Sequence, residues 1–335
     1  MPPTHLCRHA KPRARAGSRS RGCRGRPRPG RGCRPALEPL EDRTVCTVTY
    51  HGGPVLPNVG VEALFVGSRW TSDPGLSAAQ QQTVGFLRTI TNSTFMDMLT
   101  RAGYGVGRGS YLDGWVDPVA VPGVITDYQI EVAVAAAIAA GRLRPPDANR
   151  LYFVFVEPGV AVVAADGSNS VTDFWGYHSA FAGPAGTPVS YAVVPYLDGS
   201  SATLPGLTPF ETVTEVSCHE LAEAVTDPQG DNVGITAWYD DTWRAPSTGQ
   251  RGGEIADIAD STIVDLGGYV VQGVANQHDR PRIPAGATPA PPPPAAPAPV
   301  PARRGSDVSP RRHRGAPLRL KFHRDPRVYE RRQDA

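Results

Sequence analysis

The sequence predicts a single domain of α/β (or α+β) class, a mixed sheet layered with helices, set between two low-complexity tails. Three observations predict it. Charge is segregated along the chain: residues 1–45 hold 12 Lys+Arg against 3 Asp+Glu, residues 46–275 hold 9 against 24, and residues 276–335 hold 13 against 5. Strand-like and helix-like segments intersperse across residues 46–277, the pattern of a sheet covered by helices. One helix of that span is apolar nearly all round, yet carries three ionisable residues close together. A prior of about 150 residues per domain would allow two domains, but the two tails leave material for one.

The elements follow in order. Residues 1–36 are Arg, Gly, Pro and Ser with no apolar period, so they cannot bury enough surface to offset their ordering entropy and are expected to be disordered. The arm ends in Leu37-Glu38-Pro39-Leu40-Glu41-Asp42-Arg43, which resembles the LExLEDR string near the N-termini of many exported proteins in bacterial lineages with Arg-rich proteomes. An ordinary secretory signal, with about 7–15 apolar residues, is not visible near the start. Val61–Val66 reads as a strand, Ser77–Ile90 as a helix and Asn92–Ala102 as a second one. Asp127–Ala140 opens on an acidic turn, closes at Gly141 and reads as an almost wholly apolar helix. Leu151–Val156 and Val160–Ala164 are β-rich runs split by the turn signal Glu157-Pro158-Gly159; Val189–Tyr196 and Tyr269–Val274 are further strands. Ten of the 21 residues from Pro281 to Pro301 are proline, which reads as a semi-extended spacer before a basic, disordered tail.

Composition excludes some functions. The longest apolar run, Val132 to Ala140, is far short of the roughly 18 residues of a membrane-spanning helix. The part able to fold is acidic, which argues against a dedicated nucleic-acid binder, and the tail's aromatics, Phe322 and Tyr329, are too few to form stacking platforms. Cys7, Cys23, Cys33, Cys46 and Cys218 show no CxxC spacing, so neither a disulfide framework nor a thiolate zinc site is expected.

The helix from Thr208 to Pro228 carries the chemistry. Thr208-Pro209-Phe210-Glu211 has capping-box spacing with proline at the first helical position, and Pro228 closes the helix. Aliphatic residues surround His219, Glu220 and Glu223 within Val216–Val225. Burying an ionised carboxylate alone costs several kcal/mol, so such groups are paired or bind a metal. His219 and Glu223 share a helix face, while Glu220 lies about 100° round from His219. This is the geometry of an HExxH zinc helix with glutamate in place of the second histidine. The alternative is an ion-pair cluster with arginine, although residues 46–275 contain nine arginines and no lysine. Downstream, Glu254 and Asp257 share a face if they lie on one helical turn, and either could serve as a third ligand from a separate element. Asp240, Asp241 and Asp260 read as acidic surface loop.

Spaced motifs add a resemblance. Tyr50-His51-Gly52-Gly53-Pro54-Val55-Leu56, Gly67-Ser68-Arg69-Trp70, Val154 to His178, His219-Glu220-Leu221-Ala222-Glu223-Ala224 with Thr226-Asp227-Pro228, Trp238-Tyr239 and Glu254-Ile255-Ala256-Asp257 occur in the order found in the Exordium, or phosphate-induced protein, family. The resemblance spans about residues 48–277. It implies an extracellular or cell-surface protein and points to His51, His178, His219, Glu220, Glu223, Asp227, Glu254 and Asp257 as shared residues. Where plant members have Cys-Gly-x-His and a cysteine closing the acidic motif, this chain has Trp175-Gly176-Tyr177-His178 and Ala259, so a disulfide there does not carry over.

Two functions follow as expectations. One is a zincin-like metallohydrolase, a peptidase, in which His219, Glu223 and Glu254 or Asp257 hold the metal, Glu220 is the general base and His178 stabilises the oxyanion. Zinc is the expected ion, and the oxygen-rich set also admits calcium or manganese. The other is a non-catalytic surface protein with a structural metal or none, its tails or pocket holding cell-wall polymer.

Overall fold

The structure is a computed structural model that describes residues 48–196, 204–230, 234–245, 249 and 251–290. The N-terminal arm with its Leu37–Arg43 motif, four of the cysteines and everything beyond residue 290 lie outside the described residues.

The first half of the chain forms β1 (Thr49–Tyr50), β2 (Gly60–Val66), α1 (Arg69–Ser72), α2 (Pro74–Ile90), α3 (Thr94–Ala102), β3 (Ser110–Asp117), β4 (Val124–Thr126) and α4 (Asp127–Ala139). Then come β5 (Arg150–Val156), β6 (Ala161–Val163), β7 (Tyr177–Ala182), β8 (Pro188–Pro195) and α5 (Pro209–Thr226). The C-terminal part is built of short strands: β9 (Trp238–Arg244), β10 (Arg251–Gly253), β11 (Ile263–Leu266), β12 (Tyr269–Gln272), β13 (Val274–Ala275), β14 (Pro281–Arg282) and β15 (Thr288–Pro289).

The central sheet is mixed and runs β3-β2-β5-β8-β7. Its first four strands are parallel, and β7 pairs antiparallel with β8 at one edge. All seven residues of β5 are buried, because helices cover both sheet faces. On one face Leu151, Phe153 and Phe155 join Phe86 and Leu87 of α2, Phe95 and Leu99 of α3, and Val213 and Leu221 of α5. On the other, Tyr152, Val154 and Val156 join Ile130, Val134 and Ala137 of α4. This is α/β layering, as expected.

Local chemistry accounts for the helix ends. Asp73 caps α2 through Gly75 and Leu76 N–H with Pro74 at the first position, and Gly103, at φ 85°, closes α3 in the left-handed conformation. Thr126 and Gln129 form a reciprocal capping box on α4. Although α4 is apolar nearly all round, it buries only one stripe and leaves Tyr128 and Val132 exposed. No helix among the described residues is long and apolar enough to cross a membrane.

Residues 281–290 correct the expected boundary at 277. There β14 pairs with β13 and β15 with β11, so the first part of the proline-rich segment is part of the fold. Proline lacks an N–H and is tolerated on such short edge strands, which is why its density misleads as a spacer signal.

Candidate metal centre

Helix α5 begins as its sequence dictates: Thr208 Oγ1 accepts the Glu211 N–H, and the Glu211 carboxylate accepts the Thr208 N–H. Packed against β8, β12 and α2, it buries almost every residue from Thr212 to Thr226. One helical turn brings His219 Nε2 to 3.1 Å from Glu223 Oε2. The imidazole is held from behind. Gln272 Nε2 donates to the Ala256 carbonyl at 2.5 Å, which turns Gln272 Oε1 toward His219 Nδ1 at 3.0 Å. Nδ1 therefore donates to Gln272, and Nε2 is the nitrogen directed at Glu223 and Asp257. Fixing a ring through its far nitrogen is how metal-ligating histidines are oriented.

Strand β7 supplies the second histidine. Tyr177 faces the α4 side, where its hydroxyl and that of Tyr191 donate to Asp127 Oδ1 at 2.6 and 2.7 Å. Side chains alternate along a strand, so His178 faces α5. Its Nδ1 lies 3.4 Å from Glu220 Oε2 and 3.8 Å from Glu223 Oε2, and its Nε2 lies 3.5 Å from Glu254 Oε1. Nε2 is also 3.1 Å from the Asp227 carbonyl oxygen at the end of α5. Gly176 makes room for this approach: a Cβ there would meet Val216 Cγ1 at 2.5 Å and Glu220 Oε1 at 2.8 Å.

The segment after β10 brings the remaining carboxylates. Ile258 N–H bonds to the Glu254 carbonyl at 3.3 Å, closing a single turn, and a short 3₁₀ turn continues over Asp257–Ala259. Glu254 N–H donates to Asp257 Oδ2 at 3.3 Å, and Asp257 N–H donates to Glu223 Oε1 at 3.2 Å. Asp257 Oδ1 stands 3.7 Å from His219 Nε2. The ligand atoms fall into two groups of three whose spacing could hold a metal ion: His219, Glu223 and Asp257, and His178, Glu223 and Glu254. Glu223 belongs to both.

Burial and charge compete within this cluster. Burial opposes a charge on His178, but the Glu220 hydrogen bond and the charges of Glu220, Glu223 and Asp227 override it and push its pKa to about 9. Burial likewise opposes a charge on His219, and Glu223, Glu220 and Asp257 carry it well above the ordinary histidine range. Glu220 is pushed up by burial, with His178 and His219 pulling the other way. For Glu223 the two imidazoles and the Asp257 N–H outweigh burial, and its carboxyl is held below the usual range. One turn earlier on α5, burial and the charges of Glu220 and Asp260 push Glu215 to about 7 against the pull of His219.

The structure brings together His178, His219, Glu220, Glu223, Glu254 and Asp257 from three elements distant in sequence. Between the two candidates for third ligand, Asp257 joins the His219 set and Glu254 joins that of His178. His51 stands elsewhere, beside Thr49 and 3.5 Å from Asp241. Asp240 corrects its reading as surface loop: it is fully buried, and its Oδ1 accepts from Thr242 N–H, Thr242 Oγ1 and Trp243 N–H. Gln272 was missed by sequence reasoning. Its signal was a lone amide in the apolar run Tyr269–Val274, a position that is 1% exposed. No protein-family model and no curated protein matches this chain.

Proposed function

We propose that this chain is an exported, Exordium-like protein whose body is a zincin-like, metal-dependent hydrolase acting on peptide or related acyl bonds. The observation that supports it best is the orientation of His219 by Gln272, which presents Nε2 to Glu223 and Asp257 beside a second buried glutamate. His219, Glu223 and Asp257 would hold the ion; imidazole with carboxylates suits zinc, and two oxygen donors admit manganese or calcium. When bound, the ion supplies a Lewis acid for the scissile carbonyl. Glu220 takes the proton of the attacking water, burial having raised its affinity for a proton above that of a free carboxylate. His178, 3.4 Å from Glu220, orients that carboxylate and can donate to the oxyanion.

The closeness of the cluster favours a second reading. The side chains of His178, Glu220 and Glu223 are 5–6% exposed, and those of His219 and Glu254 are 14% exposed, as in a closed structural centre of a non-catalytic surface protein. A peptide-library digest with wild type, Glu220→Gln and a chelated control separates the two. Hydrolysis predicts that Glu220→Gln keeps its ion and fold and loses about 10²–10⁴-fold in turnover. No cleavage by wild type with zinc, manganese or calcium assigns the centre a structural role.

A further inference from the structure

We infer that the centre binds two divalent ions bridged by Glu223, with His219 and Asp257 completing one site and His178 and Glu254 the other. This rests on the metal reading above, goes beyond the one-ion site of an HExxE helix, and gives His178 a ligand's role in place of donation to the oxyanion. Two sets of three ligand atoms meet at a single residue, and each set takes one imidazole and one further carboxylate from a different element.

The bridging residue is placed for that role. Glu223 Oε2 is within reach of both rings, 3.1 Å from His219 Nε2 and 3.8 Å from His178 Nδ1. Its other oxygen accepts the Asp257 N–H, which fixes the plane of the carboxylate. The two histidines come from separate elements, α5 and the sheet-edge strand β7. The His219 ring has an anchor in Gln272, which holds its Nδ1. The segment carrying Glu254 and Asp257 sends one carboxylate to each histidine, because a single turn separates them and the Glu254 N–H is tied to Asp257.

The charge count agrees. Two divalent ions offset the four charges of Glu220, Glu223, Glu254 and Asp257, and the buried Asp227 near His178 adds a fifth, with both imidazoles neutral and free to ligate. One ion leaves more than half of that buried negative charge to the two histidines. A two-ion centre also suits the position of Glu220, which lies beside the His178 set and not within the His219 set.

The test is metal stoichiometry on the full chain, loaded with Mn²⁺ and freed of excess, read by elemental analysis and by electron paramagnetic resonance. Wild type should hold two ions per chain and show a spin-coupled spectrum. Glu254→Gln, a near-isosteric change at the more exposed rim, should hold one ion and give the six-line spectrum of isolated Mn²⁺. His178→Ala should do the same, with circular dichroism verifying its fold, and Glu223→Gln should lose the coupling. One uncoupled ion in wild type, unaffected by Glu254→Gln, overturns the second site and leaves the one-ion reading standing. Two ions retained in Glu254→Gln overturn the assignment of that ligand. No ion in wild type overturns both proposals.

Discussion

Gly176 is glycine because two side chains of α5 occupy the space its Cβ would need. Gly176→Ala should therefore cost about 1–3 kcal/mol, a small-to-large change in a packed site, measured as a lower urea midpoint at unchanged slope. Glu215 carries the clearest pH prediction. Its folded-state pKa of about 7 exceeds the ordinary 4.5, so the folded protein binds its proton more tightly than the unfolded chain does. That contribution to stability is complete below pH 4.5 and is lost as pH rises through 7. Glu215→Gln should match wild type near pH 4.5 and exceed it at pH 8.5 by on the order of 2–3 kcal/mol, read from denaturant midpoints in chelator. His178 acts in the same direction over a higher window. Its raised pKa gives stability that is present below 6.5 and lost as pH rises through 9. Glu223, held low, contributes above 4.5 and loses its contribution as the solution becomes more acid. The metal-free protein should thus be most stable near pH 4.5–5, weaken as the Glu215 contribution is lost toward pH 7, and weaken further toward pH 9.

Among the elements, α5 was the most legible. Its cap, first-turn proline and buried positions are local facts, and the helix runs Pro209–Thr226 as the spacing predicts. Thr208→Ala removes the Oγ1 acceptor of the Glu211 N–H and should cost about 1 kcal/mol, checked by thermal melts of the chelated protein. By contrast, β3 and β7 escaped sequence reasoning because both lie at sheet edges. Ser110–Asp117 is nowhere fully buried, and Tyr177–Ala182 interleaves a histidine and a serine with its apolar residues. Edge strands need not show the continuous apolar run that marked β5 and β8. The cost of missing β7 was specific: His178 could be singled out in the sequence, but nothing local said that it faces Glu220.

For the whole molecule, the C-terminal boundary is the sharpest test. The strands β14 and β15 pair with β13 and β11, and Thr94 Oγ1 donates to the Ala285 carbonyl at 2.7 Å. A chain spanning residues 46–277 loses these pairings, so it should melt at least about 4 °C below one spanning residues 46–290. Limited proteolysis of the full chain should leave a fragment ending near residue 290. A resistant fragment ending at 277 would show that β14 and β15 add nothing to the fold.

Sequence alone determined the α/β class, the buried helix carrying His219, Glu220 and Glu223, and the residue types of the candidate centre. These depend on neighbours within one or two turns, where helical period, capping chemistry and the cost of buried charge act directly. Tertiary structure alone decided how the candidate ligands divide. It placed Asp257 with His219 and Glu254 with His178, gave Glu223 to both, and added Gln272 behind His219. The physical reason is that β7, α5 and the turn after β10 meet through packing across the sheet edge. The distances between their side chains follow from strand register and helix docking, quantities that no local pattern encodes.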